Sequence, residues 1–130
     1  TALVDAFLGR NAITPVGAAA VAKAAAANPK VTNVRLAGCA LGDEGAQAVV
    51  DAVAGSAHIQ TVWLGACKMT SASAPQIARL IDADVNTSGA LREVWVGGNA
   101  LGDEGAAAVA EVMTAGRCNV QRVYLAVRSE

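Results

Sequence analysis

Apolar residues recur in one short pattern five times: Leu3-x-x-Ala6-x-Leu8, Val31-x-x-Val34-x-Leu36, Ile59-x-x-Val62-x-Leu64, Leu91-x-x-Val94-x-Val96 and Val120-x-x-Val123-x-Leu125. The last two apolar slots alternate as in an extended chain, so the pattern predicts five strands. A different period follows the first four. Gly45, Ala46, Val49 and Val53 line up with Gly105, Ala106, Val109 and Met113, while Gly17, Ala18 and Val21, and then Ala74, Ile77 and Ile81, occupy the same slots. Ala, Val and Val at i, i+3 and i+7 make one apolar stripe, which predicts a helix that faces the strands. Thr14 before Pro15 has N-cap and first-turn chemistry, and Pro75 lies near a helix start. Asp43-Glu44 and Asp103-Glu104 set carboxylates where the helix dipole favours them.

This pattern is a repeat. Leu41 to Ala46 recurs letter for letter as Leu101 to Ala106, and Asn11, Cys39, Cys67 and Asn99 fall in register at spacings of 28, 28 and 32 residues. The whole chain, 1–130, thus reads as a single domain with repeats at about 3–30, 31–58, 59–90 and 91–119 and a terminal strand at 120–125. In the four full repeats an Asn or Cys follows the last apolar residue by three positions, and Ile13, Leu41, Met69 or Leu101 comes two further on. That matches the leucine-rich-repeat pattern L-x-x-L-x-L-x-x-N/C-x-L at nearly every slot. The extra four residues sit at roughly Asp82 to Gly89, a loop with two acids and several turn formers. It reads either as a functional loop or as a tolerated surface insertion.

The ~28-residue period and the Gly-Asp-Glu-Gly-Ala helix opening resemble the ribonuclease-inhibitor-like class of leucine-rich repeats. The repeat domains of Ran GTPase-activating proteins and of nucleotide-binding innate immune sensors belong to the same class. The resemblance implies an α/β solenoid, a horseshoe segment with parallel strands concave and helices convex. One strand-helix unit cannot bury its own apolar face, so neighbours must stack. In the family, the residue at the Asn11, Cys39, Cys67 and Asn99 slots is a buried polar side chain that bonds the backbone of the turn.

Within each strand the residue between the last two apolar positions points away from the helices. Those residues are Phe7, Arg35, Trp63, Trp95 and Tyr124, which include the only Phe, both Trp and the only Tyr of the chain. Parallel neighbours lie ~4.8 Å apart, so the row forms a continuous ladder. Trp, Tyr and Arg are also enriched among interface hot spots. The ladder reads as a protein-binding surface or as large side chains that stabilise the sheet, with Arg35 lying over Trp63 or Phe7. Small residues flank it on one side: Gly9, Ala37, Gly65, Gly97 and Ala126. Asp5, Asn33, Thr61, Glu93 and Arg122 flank the other, a mixed polar row suited to an interface rim.

Composition narrows the partner. Hydrophobic residues are 54% and charged ones 16%, the balance of a packed domain rather than a disordered segment. A formal net charge of −1, with ten scattered Lys and Arg, offers no basic surface for nucleic acid. No apolar run approaches the ~20 residues of a membrane span. Three Cys at non-framework spacings fit thiols in a reducing compartment, so a cytoplasmic or nuclear location is expected. The chain starts without Met or a signal-peptide layout, begins in an apolar strand and stops before a fifth helix, so a longer parent array is expected.

Other chemistries find little support. Cys39 and Cys67 are neighbours in the ladder but lack the further ligands of a metal site, and Cys118 is the thiol expected to be most reachable. His58 falls in a helix-to-strand loop without a nucleophile and reads as a surface histidine. Gly97 to Gly105 lacks the spacing of a nucleotide loop, and Asp103 and Glu104 would repel phosphate. No catalytic residue, metal or cofactor is therefore assigned. The function expected is a non-enzymatic module that binds a protein through the concave row. The alternatives are a small-GTPase-activating regulator, for which no residue can be carried over, or a structural segment of a larger assembly. At the C-terminal edge, Val123 and Leu125 are expected to stay partly exposed, giving end-to-end self-association or fraying.

Overall fold

The computed structural model describes residues 13–125 in full and residues 5–7 through their backbone. Strands β1 (Asp5–Phe7), β2 (Asn33–Arg35), β3 (Thr61–Trp63), β4 (Glu93–Trp95) and β5 (Arg122–Tyr124) alternate with helices α1 (Pro15–Ala27), α2 (Gly42–Val53), α3 (Ala74–Ile81) and α4 (Gly102–Thr114). A 3-10 turn at Ser71–Ser73 leads into α3. The sheet runs β1-β2-β3-β4-β5, every pair parallel and aligned slot for slot, as in Arg35 opposite Trp63 and Trp63 opposite Trp95. Each parallel step needs a crossover, and each repeat's helix supplies it. Asn11, Gly9 and Ala126 lie outside the described residues, as do the outer apolar slots Leu3 and Leu8.

The core lies between the two layers. Val34, Val62 and Val94 from the strand centres and Leu36, Leu64 and Val96 just after them are all at 0% exposure. Leu41, Met69 and Leu101 roof the turn, and Val49, Val50, Ile77, Leu80 and Ile81 close the core from the helices. β5 differs: Val123 and Leu125 remain half-buried, as expected at a sheet edge.

Both glycines of the repeated Leu-Gly-Asp-Glu-Gly-Ala segment have physical causes. Gly42 and Gly102 adopt φ of +64° and +63°, a region that L side chains avoid. A Cβ on Gly45 or Gly105 would come within 2.6 or 2.5 Å of the Leu41 or Leu101 Cβ, so the close helix start excludes any larger residue. In the other two repeats Thr14 and Thr70 replace that first glycine and are extended, with φ of −97° and −120°. Thr70 accepts a bond from the Ala72 N–H, but Thr14 makes no side-chain cap bond. The cap expected at Thr14 is thus absent, and Pro15, whose φ is preset for a first turn, carries the start of α1 alone.

The helix stripe also needs correction at α4. Its Gly105 and Val109 are buried, but Ala106 is exposed and Met113 is 61% exposed, while Val112 is buried instead. The equivalent Ala46 and Val53 of α2 are buried. In α1, which packs on α2 among the described helices, the same slots Ala18 and Ala25 are buried, so it is the next helix that covers them. No helix follows α4 among the described residues.

The insertion is part of the structure rather than a loose surface loop. Asn86 is 1% exposed, donates to the Leu80 carbonyl and accepts from the Gly55 N–H at 3.3 Å. Its own carbonyl accepts from the Asn119 amide, and Asp82 holds Arg117 at 3.1 Å while bridging to Cys118 through the backbone. The inserted segment therefore ties three successive helix-to-strand loops together.

Candidate functional site

The face of the sheet opposite the helices carries the aromatic row. Arg35, Trp63, Trp95 and Tyr124 occupy successive register positions, and all four are half-buried. The Arg35 guanidinium lies 4.7 Å from the Trp63 ring centroid. Trp63 and Trp95 stack at 4.6 Å and 26°, and Trp95 and Tyr124 at 3.8 Å and 22°. The spacing of parallel strands is close to the spacing of stacked rings, which is why one aromatic per repeat produces a continuous pile. Phe7 extends the row in register, opposite Arg35.

Stacking consumes the ring faces, so the surface offered to a partner is a line of ring edges. Edges carry the positive end of the aromatic quadrupole, and they favour carbonyl and carboxylate oxygens over another flat ring. Two edges differ in their polar group. Trp95 Nε1 donates to Glu93 Oε1 at 3.1 Å, and Arg122 reaches Glu93 Oε2 at 3.3 Å, so one carboxylate braces two neighbours. Trp63 has Thr61 in that place, and its Nε1 is buried with no hydrogen-bond partner.

On either side the surroundings follow the pattern. Ala37, Gly65 and Gly97 are small, and the Gly65 and Gly97 carbonyls accept from Gly38 and Ala66 N–H at 2.9 Å each. In the polar row, Asp5, Asn33, Thr61, Glu93 and Arg122 share one register position on successive strands. Asn33, Thr61 and Glu93 are half-buried, and Arg122 is exposed.

Below the row sits the turn ladder. Asn99 accepts from the Cys67 and Met69 N–H at 2.8 and 3.0 Å and donates to the Leu64 and Val96 carbonyls at 2.9 and 2.8 Å. Cys67 donates its thiol to the Leu36 carbonyl at 3.1 Å, and burial pushes that thiol up to about 11. A thiol so protonated is a poor nucleophile. Cys39 is buried beneath the same turn, and Cys118 is the more accessible of the three.

Two polar clusters were not visible in the sequence. His58 is half-buried, and its Nδ1 and Nε2 lie 2.8 and 2.9 Å from the Val31 and Ala26 carbonyls. The surface histidine expected there instead ties the α2–β3 loop to Ala26 at the end of α1 and to Val31 ahead of β2. Asp43 accepts from the Thr70 N–H and hydroxyl at 2.8 and 2.6 Å and from the Ser73 hydroxyl. Desolvation pushes its carboxyl up, but these bonds together outweigh it and hold the group below its ordinary value. It links the start of one repeat's helix to the next.

Among the described residues no group of three or more His, Cys, Asp or Glu could hold a metal ion, and no helix is long and apolar enough to cross a membrane. A Leucine Rich repeat family model matches residues 27–50 and 91–110. Among solved structures, the chain is similar to the tropomodulin C-terminal domain of Caenorhabditis elegans. That match has a TM-score of 0.77 at 14% identity and covers 98% of this chain and 75% of that one. No curated protein matches the sequence. The fold is thus an α/β solenoid with a parallel sheet open on one side, and two of its segments match the Leucine Rich repeat model.

Proposed function

We propose that this chain is a ribonuclease-inhibitor-like segment of the solenoid class, and that it binds a partner protein through the concave strand face in a reducing compartment, cytoplasmic or nuclear. Arg35, Trp63, Trp95 and Tyr124 form the centre, with Phe7 continuing the row. Asp5, Asn33, Thr61, Glu93 and Arg122 form the rim. The observation that carries the reading is the gathering of both Trp and the single Tyr of the chain into one half-buried stack on the helix-free face. A side-chain pile held by a sheet is already ordered before a partner arrives, so binding loses little conformational entropy there.

Affinity capture followed by mass spectrometry identifies the partner, and variants then locate the site. Trp63→Ala with Trp95→Ala should abolish capture, since hot-spot aromatics carry about 2 kcal/mol or more each. Losing the stack also costs stability, so the variant is compared at a temperature where far-UV circular dichroism shows it folded. Ala37→Glu sets a charge beside the stack without removing a ring, and it should weaken capture while the fold stays intact. Unchanged capture by both folded variants would place the site elsewhere.

A further inference from the structure

The middle of the sheet holds an incomplete copy of a brace that is complete one repeat later. On β4, the Glu93 carboxylate accepts from Trp95 Nε1 at 3.1 Å and lies 3.3 Å from Arg122 Nη1 on the next strand. The same two outward positions of β3 hold Thr61 and Trp63, in register with Glu93 and Trp95. Here the ring is kept and the acid is lost. Trp63 Nε1 is buried with no hydrogen-bond partner, a condition that buried N–H groups rarely show. Such a donor favours any oxygen that can reach it, and an ionised one most.

The surroundings select the charge. The outward positions of β2 and β3 are Asn33, Arg35, Thr61 and Trp63, which together carry one positive charge and no negative one. The Arg35 guanidinium stands 4.7 Å from the Trp63 ring centroid, against the same ring that bears the unmet donor. Asp5, the other acid of the polar row, is two strands from Thr61 in register, about 9.6 Å away at the spacing of parallel strands. Glu93 is already engaged twice. A carboxylate set over Thr61 would therefore meet an indole N–H and a guanidinium, the same kinds of donor that Glu93 meets.

We propose that the segment this face binds is acidic, and that one of its carboxylates seats over Thr61 between the Trp63 indole N–H and the Arg35 guanidinium. Arg35, on its rotatable stem, turns toward that oxygen and opens the way to Nε1. The inference rests on the concave-face reading and adds the partner's chemistry: an Asp or Glu in an extended stretch, standing to Trp63 as Glu93 stands to Trp95.

Fluorescence polarisation with two labelled peptides tests it, an alternating Glu-Ser octamer and its Gln-Ser twin, each titrated at low salt with the 130-residue chain. The Glu peptide should bind about tenfold more tightly than the Gln peptide. Trp63→Phe keeps an aromatic ring in the stack and removes the N–H, so it should weaken the Glu peptide about tenfold. Trp95→Phe, which removes an N–H that Glu93 already holds, should change it less than about twofold. Thr61→Glu supplies the carboxylate from within the chain. It should abolish the preference for the Glu peptide and raise the thermal midpoint, because the buried N–H gains its acceptor. Circular dichroism confirms that each variant is folded. Equal affinity for the two peptides overturns the proposal, as does an equal response to Trp63→Phe and Trp95→Phe. Loss of protein capture in the double alanine variant together with equal peptide affinities would leave the concave face as a binding site and remove the acidic seat from it.

Discussion

Leu41 to Ala46 and Leu101 to Ala106 are the same six residues in the same local geometry, yet they live in different surroundings. In both, the glycine φ values and the leucine-to-glycine contact agree to within a degree and a tenth of an ångström. Beyond that the two diverge: Ala46 is at 0% exposure and Ala106 is exposed, and Asp43 is bonded to the next repeat while Asp103 faces solvent. Local backbone chemistry is therefore written in the hexapeptide, and burial is written in the neighbour. In a solenoid, each repeat's stability splits into an intrinsic part and an interface part, and these two copies separate them.

The largest expected contrast is in burial. Ala46→Asp buries a charge without a partner and should cost about 3 kcal/mol or more, enough to unfold much of the chain, while Ala106→Asp should stay within about 0.5 kcal/mol. Urea titration followed by circular dichroism reads both, and equal costs would erase the distinction. Gly45→Ala and Gly105→Ala sharpen the comparison from the other side. Each Cβ meets its own leucine, so both should lose about 1–3 kcal/mol, by nearly the same amount in the two copies.

Smaller is the carboxylate pair. Asp43→Asn should cost about 1–2 kcal/mol and Asp103→Asn only a few tenths, about what a helix-dipole charge contributes. The sign with pH follows from the lowered Asp43 value. Its contribution is present above the unfolded-state carboxylate value and is lost as pH falls through the folded one. Acid titration of stability should therefore be shallower in Asp43→Asn than in the parent. The residual slope comes partly from Asp82, lowered by the Asp84 N–H and by Arg117. An unchanged slope would show that the Asp43 cluster does not couple the repeats.

The smallest effect is a gain. Ala66 sits at φ +54° in the slot where Gly38 and Gly98 sit at +82° and +78°. Ala66→Gly should relieve that strain and raise stability by about 0.5 kcal/mol, visible as a small rise in the thermal midpoint.

The strands and their register were legible because a period of two and a period of about 28 coincide, leaving one alignment that buries Val34, Val62 and Val94 together. The aromatic row was legible for the same reason, since one slot per repeat must face away from the helices. The exposure of Ala106 and Met113 was not, because nothing within α4 differs from α2 in kind. Asn86 and His58 escaped as well. Each bonds a backbone group 31 or 27 residues away, so no local signal marks them. The Trp95 bond to Glu93 was open to reading: residues two apart on a strand share a face, and only this tryptophan has a carboxylate there.

The stack also makes the protein its own optical probe. Both indoles and the only phenol of the chain lie in one column, so its near-ultraviolet absorption, circular dichroism and intrinsic fluorescence arise almost wholly from that patch. Rings this close transfer excitation among themselves, and their coupled transitions depend steeply on spacing and tilt. A ligand on the open face will register in these signals without a label, while events on the helical side stay dark. One titration in a fluorimeter thus reports which side of the solenoid a partner has touched.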